Sequence, residues 1–153
     1  MLYLDDGTAS GSFSPVDTDQ IANKDYLRTH TVMFDPEDEG TTFRYVLEAI
    51  NEIGSVQSSI GSQLLAGVPG KPDSTPLSDP DVTDGSKIKV TWTEPSDDGG
   101  APIQSYGLEI DDGAGGDFVS LAGETQNYLR LEYTVEEGIT RATNYRLRYR
   151  ARN

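Results

Sequence analysis

Residues 143–153 read Thr-Asn-Tyr-Arg-Leu-Arg-Tyr-Arg-Ala-Arg-Asn, and this run decides the fold. Tyr145, Leu147, Tyr149 and Ala151 alternate with Arg146, Arg148, Arg150 and Arg152. Strict period two is the mark of a strand with one face on a core and the other in water. The same pattern recurs upstream. In Thr42–Ile50, Phe43, Tyr45, Leu47 and Ala49 alternate with Arg44, Val46, Glu48 and Ile50. Ile88, Val90 and Trp92 alternate with Lys89, Thr91 and Thr93, and Tyr106, Leu108 and Ile110 with Gly107, Glu109 and Asp111. Phe118 to Leu121 reads as a further short strand. Breakers separate the runs at Asp84-Gly85, Pro95 to Pro102, Asp112 to Asp117 and Glu136 to Gly138. Helical periodicity is hard to find. Short strands at this spacing, with no helices between them, predict a β-sandwich or barrel.

The chain also repeats itself. Tyr26-Leu27-Arg28 returns as Tyr128-Leu129-Arg130, and Phe43 to Asn51 returns as Tyr145 to Asn153, each 102 positions later. Leu4-Asp5-Asp6-Gly7 returns as Ile110-Asp111-Asp112-Gly113, 106 positions later. A period near 100 residues is the size of an immunoglobulin-like sandwich. Between the copies, Ala66-Gly67-Val68-Pro69-Gly70-Lys71-Pro72 reads as a short linker stiffened by Pro, which puts the boundary near Gly67.

These residues resemble fibronectin type III repeats. Val68-Pro69-Gly70-Lys71-Pro72 is similar to the family's entry into its first strand, and Lys89-Val90-Thr91-Trp92-Thr93-Glu94-Pro95 to its second strand with the core Trp. Asp97-Asp98-Gly99-Gly100-Ala101-Pro102-Ile103 through Tyr106 resembles the loop and third strand, and Thr143 to Asn153 the sixth strand with its Ala-x-Asn ending. In the first copy, Gly40-Thr41-Thr42-Phe43 through Ala49-Ile50-Asn51-Glu52-Ile53-Gly54-Ser55 is similar to the sixth strand and the turn after it. The resemblance implies an all-β fold of tandem immunoglobulin-like sandwiches. Residues 1–67 would be the C-terminal part of a first module lacking its N-terminal strands, and residues 68–153 a second module lacking its last strand. The missing strands would lie elsewhere in a longer polypeptide or come from neighbouring subunits. Phe43 departs from the family's usual Tyr, so the corner hydrogen bond of that hydroxyl is expected to be absent in the first module. The inward residues implied are Trp92, Tyr106, Leu108, Ile110, Tyr145, Leu147, Tyr149 and Ala151 in the second module, and Leu2, Leu4, Phe43, Tyr45, Leu47 and Ala49 in the first.

Composition narrows function by exclusion. With 26 acids against 12 bases, the net charge of −14 repels nucleic acid and anionic lipid. No run approaches the roughly 20 apolar residues of a membrane span. Cysteine is absent, so disulfides and thiolate metal sites have no ligands. The single histidine, His30, falls in Leu27–Phe34, a run that reads as a strand, and leaves a Ser-His-Asp set without a positioned imidazole. The acid pairs Asp5/Asp6, Asp97/Asp98, Asp111/Asp112 and Glu136/Glu137 are adjacent in sequence, so along a strand they point to opposite faces and do not converge. Calcium is the fairer question, since Asp79, Asp81 and Asp84 share one loop with Asp97 and Asp98 not far off, but no EF-hand pattern is present and the acids read as solvated turns. No cofactor and no enzymatic activity are expected.

Two candidate contact surfaces remain. Residues 141–153 hold five Arg and no acid, whereas residues 68–140 hold four bases and fifteen acids. Arg146, Arg148, Arg150 and Arg152 should line the outer face of the sixth strand, facing Glu109 and Asp111 on the third, where cross-strand ion pairs are expected. In the first module Tyr3, Val46 and Ile50 should form an exposed apolar patch. The expected function is a non-catalytic structural or adhesive module pair from a larger multi-repeat protein, at the cell surface or outside the cell, serving as spacer and protein contact surface, with a fibre component as its sharper form. The alternatives are accessory spacer domains of an extracellular enzyme, or an intracellular scaffold of the muscle-protein type.

Overall fold

The computed structural model describes residues 1–8, 10–16 and 29–153. The chain divides into two compact units, Met1–Ala66 and Gly67–Asn153.

Unit 1 holds β1 (Leu2–Leu4), β2 (Ser14–Pro15), a single 3₁₀ turn at Pro36–Asp38, β3 (Thr42–Ile50), β4 (Ser55–Gln57) and β5 (Gly61–Leu64). The sheet runs β2-β1-β3-β4, with β5 also pairing with β3, and every pairing is antiparallel. β3 covers the full run in which aromatic and branched residues alternate. It is the central strand, flanked by β1 on one side and by β4 and β5 on the other.

Unit 2 holds β6 (Leu77–Ser78), β7 (Ile88–Thr91), β8 (Ser105–Ile110), β9 (Val119–Ala122), β10 (Glu132–Val135) and β11 (Leu147–Arg152). They form two three-stranded antiparallel sheets, β10-β7-β6 and β11-β8-β9. The apolar members of the alternating strands meet between them. Val90, Trp92, Tyr106 and Leu108 form the buried centre, Leu108 being 0% exposed, and Leu147, Tyr149, Ala151, Tyr128 and Tyr133 pack around it. The Trp92 ring lies 5.8 Å from that of Tyr149 and 6.3 Å from those of Tyr106 and Tyr128. Ile110 is also buried, and Tyr145 is half-buried just before β11 begins.

Three expectations for unit 1 need correction. Leu47 was expected in a core and is 55% exposed, and Tyr45 and Ala49 are exposed with it. They point to the side that the pleat dictates, but among the described residues unit 1 has no counterpart of the β10-β7-β6 sheet that covers this face in unit 2. Phe43 alone is buried there, against Phe34 at 4.5 Å. Val46, expected on an exposed patch, is only 6% exposed. Tyr3 lies opposite it in the register, and the Tyr3 hydroxyl donates to Glu48. Finally, residues 29–34 form no strand, and Leu27 and Arg28 lie outside the described residues. The equivalent segment in unit 2 becomes β10 because β7 is there to pair with it. A strand without a neighbour has nowhere to send its backbone hydrogen bonds.

Candidate functional site

The outer face of the β11-β8-β9 sheet carries the arginine stripe, and Arg146, Arg148, Arg150 and Arg152 are all exposed on it. Antiparallel pairing sets Arg148 opposite Glu109, Arg150 opposite Gly107 and Arg152 opposite Ser105. Arg148 is ion-paired with Glu109. Arg146 meets Asp111, Nε to Oδ2 at 2.6 Å. Both guanidinium groups lie over the ring of Phe118, at 5.2 Å for Arg146 and 4.2 Å for Arg148. The expected cross-strand pairs are therefore present at one end of the stripe.

Asp111 departs from an ordinary surface carboxylate, since its side chain is only 1% exposed. Oδ1 accepts from the backbone N–H of Arg146 at 2.8 Å and of Gly113 at 3.1 Å, while Oδ2 takes the guanidinium. Arg146 also donates from Nη2 to the Gly116 carbonyl at 3.0 Å. One carboxylate and one arginine thus fasten the β8–β9 turn to the start of β11. Gly113 must be glycine for this turn: it sits at φ +73°, and a Cβ there would come within 2.3 Å of Thr143 Cγ2.

Unit 1 repeats the arrangement atom for atom. Asp5 is fully buried at its side chain and bonds Arg44 Nε at 2.6 Å. It accepts from the backbone N–H of Arg44 at 2.9 Å and of Gly7 at 3.2 Å. Arg44 donates to the Gly11 carbonyl at 3.0 Å and lies over Phe13 at 5.4 Å. Sequence reading missed the role of Phe13 and Phe118, although Gly11-Ser12-Phe13 and Gly116-Asp117-Phe118 were there to be matched.

These contacts move protonation equilibria. The Arg146 guanidinium, then its backbone N–H, holds the Asp111 carboxyl below the usual range. The Arg44 backbone N–H, then its guanidinium, does the same for Asp5. Backbone N–H groups of Gly116 and Ala114 lower Asp112, and the Ser86 hydroxyl lowers Asp84. A carboxyl depressed in the folded state adds stability above its unfolded value, near 3.9, and loses that contribution as pH falls through the folded value. Thermal stability should therefore hold steady near neutral pH and decline progressively below about pH 4, as a Tm series followed by circular dichroism would record. Lys89 moves the other way, raised first by Glu132 and then by Asp79, with Nζ at 3.1 Å and 3.3 Å from them. Its contribution is present below about pH 10.4 and is lost above it.

The corner expected of the resemblance is found in unit 2. The Tyr145 hydroxyl accepts from the Thr140 N–H at 3.0 Å and donates to the Gly138 carbonyl at 3.3 Å. Phe43, at the equivalent place in unit 1, has no hydroxyl and stacks on Phe34 instead. Tyr145→Phe should lower the stability of unit 2 by about 0.5–1.5 kcal/mol, read from urea midpoints at constant slope.

No protein-family profile matches the sequence. The crystal structure of domains A168-A170 from titin superposes on it with a TM-score of 0.62, at 18% identity, over 100% of this chain and 48% of that one. The fold is of the fibronectin type III kind. The chain spans about half the length of the titin fragment, 48% of it. The chicken CNTN1 FN1-FN3 domains align with 75% of this chain and 36% of theirs at 17% identity, with a TM-score of 0.37, too low to bear on the fold.

On this fibronectin type III-like frame the remaining candidates are placed as follows. Ile50 is 62% exposed beside the β3–β4 turn, while the Tyr3 hydroxyl donates to Glu48 at 2.7 Å and Val46 is buried, so the three do not make one surface patch. His30 is exposed and outside any strand. Asp79 is ion-paired with Lys89, and Asp84 caps the turn at Ser86 and Lys87. Among the described residues no three His, Cys, Asp or Glu side chains cluster as a metal site, and no helix is long and apolar enough to cross a membrane.

Proposed function

We propose that the chain is a non-catalytic pair of structural modules from a larger multi-repeat protein, working as spacer and protein contact surface at the cell surface or outside the cell. The observation that carries this reading is the duplicated Asp–Arg–Phe clamp. In both units the most deeply buried carboxylate among the described residues is engaged by an arginine and two backbone N–H groups, which commits it to holding a turn rather than to chemistry over a cleft. The arginine stripe is the surface the reading assigns to contacts, with other modules, neighbouring subunits or other proteins on the far side.

The test is to raise antibodies to unit 2, treat intact source cells with a membrane-impermeant biotin reagent, and size the labelled polypeptide. A labelled band far above 16.6 kDa, carrying no hydrolase activity, is the expected result. A protein that is shielded in intact cells would move it to the intracellular scaffold. A polysaccharide hydrolase activity in the same polypeptide would move it to the accessory-domain reading.

A further inference from the structure

Four peptide bonds of the chain join Asp to Gly: Asp6-Gly7, Asp84-Gly85, Asp98-Gly99 and Asp112-Gly113. Such a bond carries its own electrophile and nucleophile. The glycine nitrogen can attack the Asp Cγ and close a five-membered succinimide, and glycine has no side chain to obstruct the approach. The fold holds all four carboxyl groups alike. Oδ1 accepts the N–H two residues on, from Thr8 at 3.0 Å, Ser86 at 2.7 Å, Gly100 at 2.9 Å and Ala114 at 2.9 Å. Each is an Asx turn.

The nucleophiles are not held alike. Gly7, Gly99 and Gly113 each follow two acids, and the first acid of each pair takes the glycine N–H on its own Oδ1: Asp5 at 3.2 Å, Asp97 at 2.9 Å and Asp111 at 3.1 Å. All three glycines sit at φ between +72° and +78°, and none is exposed. A nitrogen committed to a neighbouring carboxylate must break that bond before it can attack. Asp84-Gly85 is preceded by Thr83, so it lacks the first acid. Gly85 is exposed and outside the left-handed region, and its N–H has no acceptor among the described residues.

We propose that Asp84-Gly85 is a modification site, where the folded chain isomerises spontaneously to isoaspartate, and that the first acid of each Asp-Asp-Gly triplet shields the other three bonds. The Gly85 nitrogen bonds to Asp84 Cγ, and its proton leaves with the carboxyl hydroxyl as water. Water then adds back to the succinimide. Opening at the main-chain carbonyl sends the backbone through Cβ and Cγ and leaves a new carboxylate on Cα, whereas opening at Cγ restores Asp. The isomer has one more carbon in its backbone, placed in the turn between β6 and β7. There the Asp84 N–H donates to the Lys87 carbonyl at 3.0 Å, and Asp84 Oδ1 also accepts from the Ser86 hydroxyl at 2.7 Å. The inference does not depend on what unit 2 contacts.

The test is to age the 153-residue chain in water enriched in heavy oxygen at about pH 5, where part of each carboxyl is in the reactive acid form. The chain is then digested and each Asp-Gly peptide is read by mass. Every ring opening brings in one heavy oxygen, and fragment ions separate isoaspartate from Asp. Asp84 should take up label about tenfold faster than Asp6, Asp98 or Asp112, the scale of one net hydrogen bond that must open first. In urea the four should label at similar rates, since the reacting groups are the same. Asp97→Ala should raise Asp98 toward the rate of Asp84, and Asp97→Asn, which keeps the acceptor oxygen, should not. Asp97 is exposed and has no ion pair among the described residues, so neither change removes a buried contact. Equal rates in the folded chain, a faster site elsewhere, or an unlabelled Asp84 once the urea sample is labelled throughout would overturn the site. An Asp98 rate unmoved by Asp97→Ala would overturn the shielding.

Discussion

Trp92→Ala should unfold unit 2 or bring it to the edge of unfolding. Trp92 is 4% exposed and in ring contact with Tyr106, Tyr128 and Tyr149, which come from β8, from the segment before β10 and from β11. Truncating a buried Trp removes its transfer free energy and leaves a cavity that rigid neighbours close only in part, about 3–5 kcal/mol together. A small domain has about 5–15 kcal/mol in all. The indole N–H lacks a hydrogen-bond partner among the described residues, so the loss is one of packing alone. Trp92→Phe, which keeps an aromatic plane, should recover most of the difference. Urea unfolding followed by far-ultraviolet circular dichroism measures both. A loss for Trp92→Ala below about 1 kcal/mol, close to the range of surface substitutions, would sink the assignment of this cluster as the core.

The second large effect is expected at Asp111. Asp111→Ala removes the partner of the Arg146 guanidinium and orphans the N–H groups of Arg146 and Gly113 at once. Asp111→Asn keeps an oxygen for those two N–H groups and loses only the charge. The order of Tm should therefore be parent, then Asn, then Ala, and the Asn variant should lose part of the acid-side decline seen in the parent. If Asn and Ala are equal, the backbone bonds contribute nothing and the clamp is only an ion pair. The same series at Asp5 should reproduce the order in unit 1, because the two clamps share donors, acceptors and stacking ring.

The Asp111 clamp also bears on the contact surface. The clamp fixes the guanidinium of Arg146 over Phe118 at one end of the stripe, while Arg150 and Arg152 have no carboxylate partner among the described residues.

The sequence by itself determined the long alternating strands and which side their side chains take. Alternation is a local property of an extended chain, so β3, β7, β8, β9 and β11 were legible, as was the pairing of Arg148 with Glu109 once the third and sixth strands were set side by side. The repeat was legible for the same reason, being written in the order of residues. Tertiary structure alone decided what those faces meet. Tyr45 and Leu47 occupy the places of Leu147 and Tyr149 in the same alternating pattern, yet Leu147 and Tyr149 pack on a core and Tyr45 and Leu47 are exposed. A second sheet stands opposite Leu147, and Leu47 has no such counterpart opposite it among the described residues. Asp5 and Asp111 are each engaged by an arginine more than thirty residues away in sequence. Periodicity assigns a direction to each side chain, but burial depends on what lies in that direction, and that is set by segments distant in sequence.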